Sequence, residues 1–186
     1  MKIDIDHHIN RISNIDSRVQ SEFGTLSARQ LNYRESDKTW SVGQCIHHLI
    51  TINKSYFEEF NKILDRNYKN SLWKRINPFT QTVGKTMIRT LGPDKTKTFK
   101  TPRLFEPMKS LINLNILPDF HKNQMELIGY LEKFRDIDGR VIINSPVSTV
   151  ITLNLEDAVQ ILVGHEERHI NQAMDVYSSP NFPVND

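Results

Sequence analysis

Apolar residues return every three, four or seven positions in four segments of the chain. In the first, Ile5, Ile9, Ile12, Val19, Phe23 and Leu26 share one helical face, and Ile15 covers the gap beside Asp16. Gly24 is placed to end this helix, with Leu26 packing just beyond. The second segment opens at Ser41, an N-cap whose capping box is completed by Gln44 three residues on. Val42, Cys45, Ile46, Leu49, Ile52, Tyr56, Phe60 and Ile63 then mark a long inward face, which predicts a helix to about Arg66. The third is predicted over 118–135, with Pro118 in the first turn, where a missing N–H costs nothing. Its stripe is Phe120, Leu127, Leu131 and Phe134, interrupted by Gln124, and helical residues can precede it from Ser110 with a kink. The fourth is predicted from Leu155 to Tyr177, with Asn154 as N-cap and Glu156 and Asp157 in the first turn. Leu155, Ala158, Leu162, His165, His169, Ala173 and Val176 form its inward stripe.

Residues 67–107 carry Pro78, Gly84, Gly92, Pro93, Pro102 and Pro107 and read as a long connection, with room for a short helix or two over 72–87. Connections of this length inside a compact domain tend to be functional or mobile. Residues 138–153 are rich in Val, Ile, Thr and Ser and broken by Pro146. Either a hairpin or an extended loop fits; the loop is expected, because no other strand offers a partner. Four amphipathic helices with almost no strand signal predict an all-α helical bundle, with the long connection between helices 2 and 3.

Composition narrows the partners. A length of 186 residues predicts one domain, 1–186, with a core that needs no disulfide. Lys plus Arg is 24 and Asp plus Glu is 22, a near balance that argues against a nucleic-acid binder. Cys45 is the single cysteine, which excludes an internal disulfide and a Cys-rich zinc module. The opening residues carry two acids and no apolar secretory core, and no apolar run approaches the roughly 20 residues that cross a bilayer. A cytoplasmic protein with no membrane contact is expected.

His165 and His169 interrupt the fourth stripe where Leu and Ala otherwise stand. Residues four apart differ by about 40° around a helix and about 6 Å along it, so both imidazoles reach one ion. Buried imidazoles without partners are costly, and a divalent cation removes that cost. His48 is the leading third ligand: it lies three residues after Cys45 and four before Ile52, both on the inner stripe. His47 is about 100° further round and leans toward the edge. Three histidines leave coordination positions open, as a catalytic site requires. The competing reading of the same residues is a hydrogen-bonded core network.

His7, His8 and His121 are expected on the surface or rim, with His121 beside Gln124 as a spare ligand. Cys45 is expected to be a small packed side chain. His165-Glu166-Glu167-Arg168-His169 also matches His-Glu-x-x-His, in which Glu166 would be a general base. The 17 residues that follow hold no His or Glu to complete such a site. Glu166 and Glu167 are therefore expected to be solvated or paired with Arg168.

At these residues the chain resembles the DinB-like superfamily, also called the YfiT-like metal-dependent enzymes. The matching pieces are Trp40-Ser41-Val42-Gly43-Gln44-Cys45-Ile46-His47-His48-Leu49 and Gly164-His165-Glu166-Glu167-Arg168-His169-Ile170-Asn171-Gln172. The stretch 99–107 and the ending Phe182-Pro183 are similar too. The resemblance implies a four-helix bundle in up-down-down-up order and a divalent metal held by His48, His165 and His169. Its first ligand falls eight residues after the Trp, which selects His48 over His47. The family it resembles includes thiol S-transferases, a thiol-dependent isomerase and many members without known activity, and dimers are common in it, so a homodimer is possible. The expected function is a metal-dependent thiol S-transferase, with a low-molecular-weight thiol co-substrate, or a hydrolase, acting on a small-molecule substrate. The resemblance does not choose among zinc, nickel, iron and manganese. A metal would lower the pKa of a thiol or water and so activate it. Lys95, Lys97 and Lys100 and the 138–153 segment are expected to border the pocket. The alternative is a non-catalytic, stress-associated metal- or ligand-binding bundle.

Overall fold

The computed structural model describes residues 2–65, 79–92, 101–102, 105–108 and 110–184. Lys95, Lys97 and Lys100, and the first part of the expected 72–87 helix, lie outside them. Among the described residues six helices and one two-stranded sheet follow in order: α1 (Ile5–Phe23), α2 (Ala28–Leu31), α3 (Val42–Leu64), α4 (Phe79–Leu91), α5 (Ile116–Lys133), β1 (Ile142–Ser145), β2 (Ser148–Asn154) and α6 (Leu155–Tyr177). The fold is mostly helical, as expected.

Helix starts follow the local chemistry. The Ser41 hydroxyl accepts the Gln44 N–H at 3.1 Å, and the Gln44 side chain accepts the Ser41 N–H at 3.1 Å, the reciprocal box expected for α3. Ser27 and Gln30 build a second box on α2. Asn154 takes the extended cap conformation, but its side chain donates to Asp157 at 3.3 Å rather than capping the backbone. At the end of α1, Gly24 keeps right-handed dihedrals (φ −61°), and its N–H bonds the Gln20 carbonyl. Buried Leu26 packs beyond it, as expected.

Two expectations are corrected. Residues 110–115 do not extend α5: Asn32 clamps them, accepting the Ile112 N–H at 2.7 Å and donating to the Ile112 carbonyl at 2.8 Å. Those backbone groups are satisfied without a helix, and α5 begins at Ile116 with Pro118 still in its first turn. The 138–153 segment is a hairpin and not a loop. β1 and β2 pair antiparallel, Ile142 opposite Asn154 and Ile143 opposite Leu153, with an irregularity at Asn144/Ser145. An isolated hairpin is marginal in water. Here α4 packs on β2, and the Thr80 and Thr152 hydroxyls meet at 2.8 Å. The missing partner is a helix from within the long connection.

α1 packs on α5 and α6, α3 packs on the same two helices, and α4 covers α6. Phe23, Phe60, Phe120 and Phe134 are fully buried in the core, Phe60 edge-on to Phe134 at 5.1 Å. Side-chain bonds tie the helices along their lengths. Arg11 and Arg18 of α1 reach Glu167 and Asn171 of α6 in the same sense. Asp6 and Asp16 of α1 meet Arg135, just past the end of α5, and His121 of α5 in the opposite sense. Asn53 and Asn61 of α3 meet Asn123 and Tyr130 of α5 in the same sense. Gly84 allows α4 its close approach to α6: a Cβ there would stand 2.3 Å from Asp157 Oδ2.

Candidate metal centre

His48 stands two turns into α3, whose start is fixed by the capping box. His165 and His169 stand one turn apart in the middle of α6. The contact of α3 with α6 brings the three rings together, with centroids 4.5 to 5.2 Å apart. One ligand nitrogen from each lies within 4.8 Å of the others, so the three can hold a metal ion. His48 Nε2 faces His165 Nε2 at 3.0 Å.

The tautomer of His48 is set from behind. Its Nδ1 lies 2.7 Å from the Phe105 carbonyl, which only accepts, so Nδ1 carries the proton and donates. Nε2 therefore presents its lone pair toward His165. A carbonyl bond on the far nitrogen is the usual way a ligating imidazole is oriented. On the open side, the Trp40 ring stacks on His169 at 16° with centroids 5.4 Å apart, and lies 5.0 Å from His48.

Burial keeps the cluster neutral. Desolvation is the main force lowering all three pKa values. His165 is pushed well below its ordinary value, with His169, His48 and Arg168 adding repulsion. His169 falls to about 3. Neutral imidazole is the metal-binding form. His165 Nδ1 and His169 Nδ1 are buried with no hydrogen-bond partner, which a dry imidazole cluster leaves as an uncompensated cost. A shared cation at the facing nitrogens fits this donor set: where His48 and His165 otherwise share a single proton between their Nε2 atoms, it draws on a lone pair of each ring.

The rings border a cavity of 480 Å³. Ile52, Tyr56, Ile161 and Leu162 line it from α3 and α6, Met87 and Leu91 from α4. Val147, from the hairpin turn, also faces it, so the 138–153 segment does border the pocket as expected. Arg34, Lys38, Asp37 and Glu106 are exposed lining residues, and Arg168 donates from the lining to the Thr90 carbonyl at 3.2 Å.

The other candidates separate from the site. His47 is half-buried and outside the cluster, as its position round the helix predicts. Cys45 is fully buried and its thiol pKa is raised by burial, the packed role expected. His7 is exposed as expected. His8 is not: it is 3% exposed, and burial lowers its pKa to about 4. His121 does not turn to Gln124 but pairs with Asp16 at 2.7 Å.

Glu166 and Glu167 correct the reading of a solvated pair. Glu167 crosses to Arg11, with two bonds of 2.8 and 2.7 Å. Glu166 is completely buried, and its Oε1 accepts from Asn53 at 2.7 Å and Gln124 at 2.8 Å. It faces the interior rather than the cavity, so it is not placed as a general base. Trp40 and the Phe105 carbonyl are the site groups that residue-level reasoning missed. Trp40 had a signal, standing two turns before His48. A backbone carbonyl from a distant segment leaves none.

A model of the DinB superfamily matches residues 14–173, and the chain belongs to that superfamily. No curated protein and no solved structure matches it.

Proposed function

We propose that this chain is a metal-dependent enzyme acting on small molecules, with His48, His165 and His169 as the ligands of one divalent ion. The observation that carries the reading is the arrangement of the rings: three neutral imidazoles converge from two helices, and among the described residues no fourth ligand joins them, the cluster bordering a 480 Å³ cavity. A bound divalent ion supplies a Lewis-acid position that makes a thiol or water nucleophilic near neutral pH. The protein's own contributions are distinct. The Phe105 carbonyl holds the His48 tautomer, Trp40 packs over His169 and His48, and the apolar walls limit water around the reacting atoms.

A thiol S-transferase is the favoured activity and a hydrolase the second. Buried Cys45 offers no nucleophile, so an activated thiol must enter with the substrates. The pairwise directions of the side-chain bonds support a four-helix bundle of α1, α3, α5 and α6 in up-down-down-up order, in which the site sits between α3 and α6.

Elemental analysis of purified protein tests the ligand set. Wild type is expected to hold about one divalent ion per chain, and each of His48→Ala, His165→Ala and His169→Ala to lose it. Full retention in His48→Ala overturns the assignment. A thiol panel against a generic electrophile then tests the activity. Conjugation that needs both the metal and one thiol selects the transferase. A metal-loaded protein inert with every thiol and every ester selects a binding role.

A further inference from the structure

The cavity has a direction. From His48, Ile52 and Tyr56 follow at one and two turns along α3. From His165, Leu162 and Ile161 follow one turn back along α6. Met87 and Leu91, one turn apart on α4, close the third side. All six line the same cavity, so an apolar trough leads away from the imidazoles. Eight residues of helix from His48 to Tyr56 rise roughly 12 Å. Among the described residues, the charged lining residues are Arg168 of α6, beside the imidazoles, and Arg34, Asp37, Lys38 and Glu106 from the segments around α2 and Phe105; α3 and α4 contribute none.

The two ends differ in chemistry. Ile52, Tyr56, Ile161 and Leu162 are all under a tenth exposed, and all four line this space. At the other end, three neutral imidazoles bring no negative charge to a dication, so the centre keeps its full positive charge. Such a centre is complemented by an anionic head, and the trough by an unbranched apolar body.

We propose that the site takes an amphiphile: a molecule whose anionic head lies at the imidazole cluster and whose linear apolar chain lies along Ile52, Tyr56, Leu162, Met87 and Leu91. This rests on the metal reading for the head alone. The chain portion stands on the shape and lining of the trough.

Isothermal titration of full-length, metal-loaded protein with the n-alkanoates from acetate to decanoate tests it. Affinity is expected to rise about four-fold per added methylene until the trough is filled. Leu91→Glu, on the half-buried face of α4, is expected to abolish that rise with chain length. The matching n-alkanols, titrated into EDTA-treated protein, read the trough without the metal and should show the same slope with chain length. Alkanoate affinity that stays flat from acetate to decanoate overturns the proposal, as does a Leu91→Glu variant that binds decanoate like wild type. If elemental analysis finds no metal, the ligand assignment of the preceding section fails by itself. The alkanol slope then still decides the trough: present, it keeps the apolar chain; absent, it removes it.

Discussion

Glu166 lies beside His165 in sequence and faces away from it in space, and that reversal defines what its carboxyl does. Oε1 takes two amide donors from α3 and α5, and Oε2 is buried with no partner. Desolvation, the largest influence, raises its pKa to about 7 against the pull of the Gln124 and Asn53 bonds. In the unfolded chain it titrates near 4.5. The folded state thus binds the extra proton between those values, and its contribution to stability is lost as pH rises from 4.5 through 7. Glu166→Gln fixes the neutral form. In metal-free protein, urea unfolding should find the variant gaining on wild type across that interval, by at most about 1.4 kcal/mol per pH unit, and level above it. A difference that does not change with pH rejects this role. Trp40 invites a separate comparison. Removing the ring that packs on two imidazoles frees them to rotate, so Trp40→Ala should lose metal to a competing chelator roughly ten-fold more readily, and Trp40→Phe far less. The sequence exposed the three histidines because each stands on an apolar stripe, and it did not mark Trp40, just before one, as part of the site. It hid Glu166, since a single-stripe reading gives a helix one inward face. α6 is packed by α1, α3, α4 and the hairpin, and so has more than one.

At the scale of elements, what the sequence made legible was each helix that carries its own start signal and a long stripe. α3 and α6 were both bounded to within two residues, and they carry all three rings. What stayed hidden depends on partners distant in the chain. β1 and β2 needed α4 as a support, and residues 110–115 were withheld from α5 by two bonds from Asn32. The placement of α4 is the more consequential, because Met87 and Leu91 complete the trough. Its fit against α6 relies on the missing side chain at Gly84. A Cβ there would meet Asp157 Oδ2 at 2.3 Å and its Cγ at 2.8 Å. Gly84→Ala gains about 1 kcal/mol of helix propensity and must displace α4 or Asp157 to do so. The expected net result is faster hydrogen exchange in α4 and a lower melting temperature. Asp157→Ala should relieve the clash, so the double variant should be more stable than Gly84→Ala alone. Additive losses in this double-mutant cycle contradict direct contact at that position.

For the whole molecule, the neutral imidazoles and a bound cation act on stability in the same direction. His169 titrates near 3 in the fold and near 6.5 in the unfolded chain, and His165 is likewise lowered by burial. Below 6.5 the unfolded chain takes up protons that the folded site refuses. The fold is therefore fully favoured above 6.5 and loses stability as pH falls toward 3. A metal ion competes with protons for the same nitrogens only once the protein opens, and binding to the closed cluster adds RT ln(1 + [L]/Kd) to stability. Saturating zinc should thus raise the melting temperature at pH 7.5 and keep that increment at pH 5, because the folded nitrogens stay neutral there and protonation weakens zinc binding only to the open chain. The His165→Gln/His169→Gln double variant separates the two contributions. It removes both the zinc increment and the two groups that refuse protons, so its metal-free melting temperature should fall less than that of wild type between pH 6.5 and pH 5. Glu166 works against this slope over 4.5 to 6.5, which is why the comparison is with the variant and not with an absolute profile. A zinc increment that survives in the double variant places the ion elsewhere. An unchanged acid slope means that His165 and His169 titrate in the folded protein, and their neutrality, on which the site's chemistry depends, is lost.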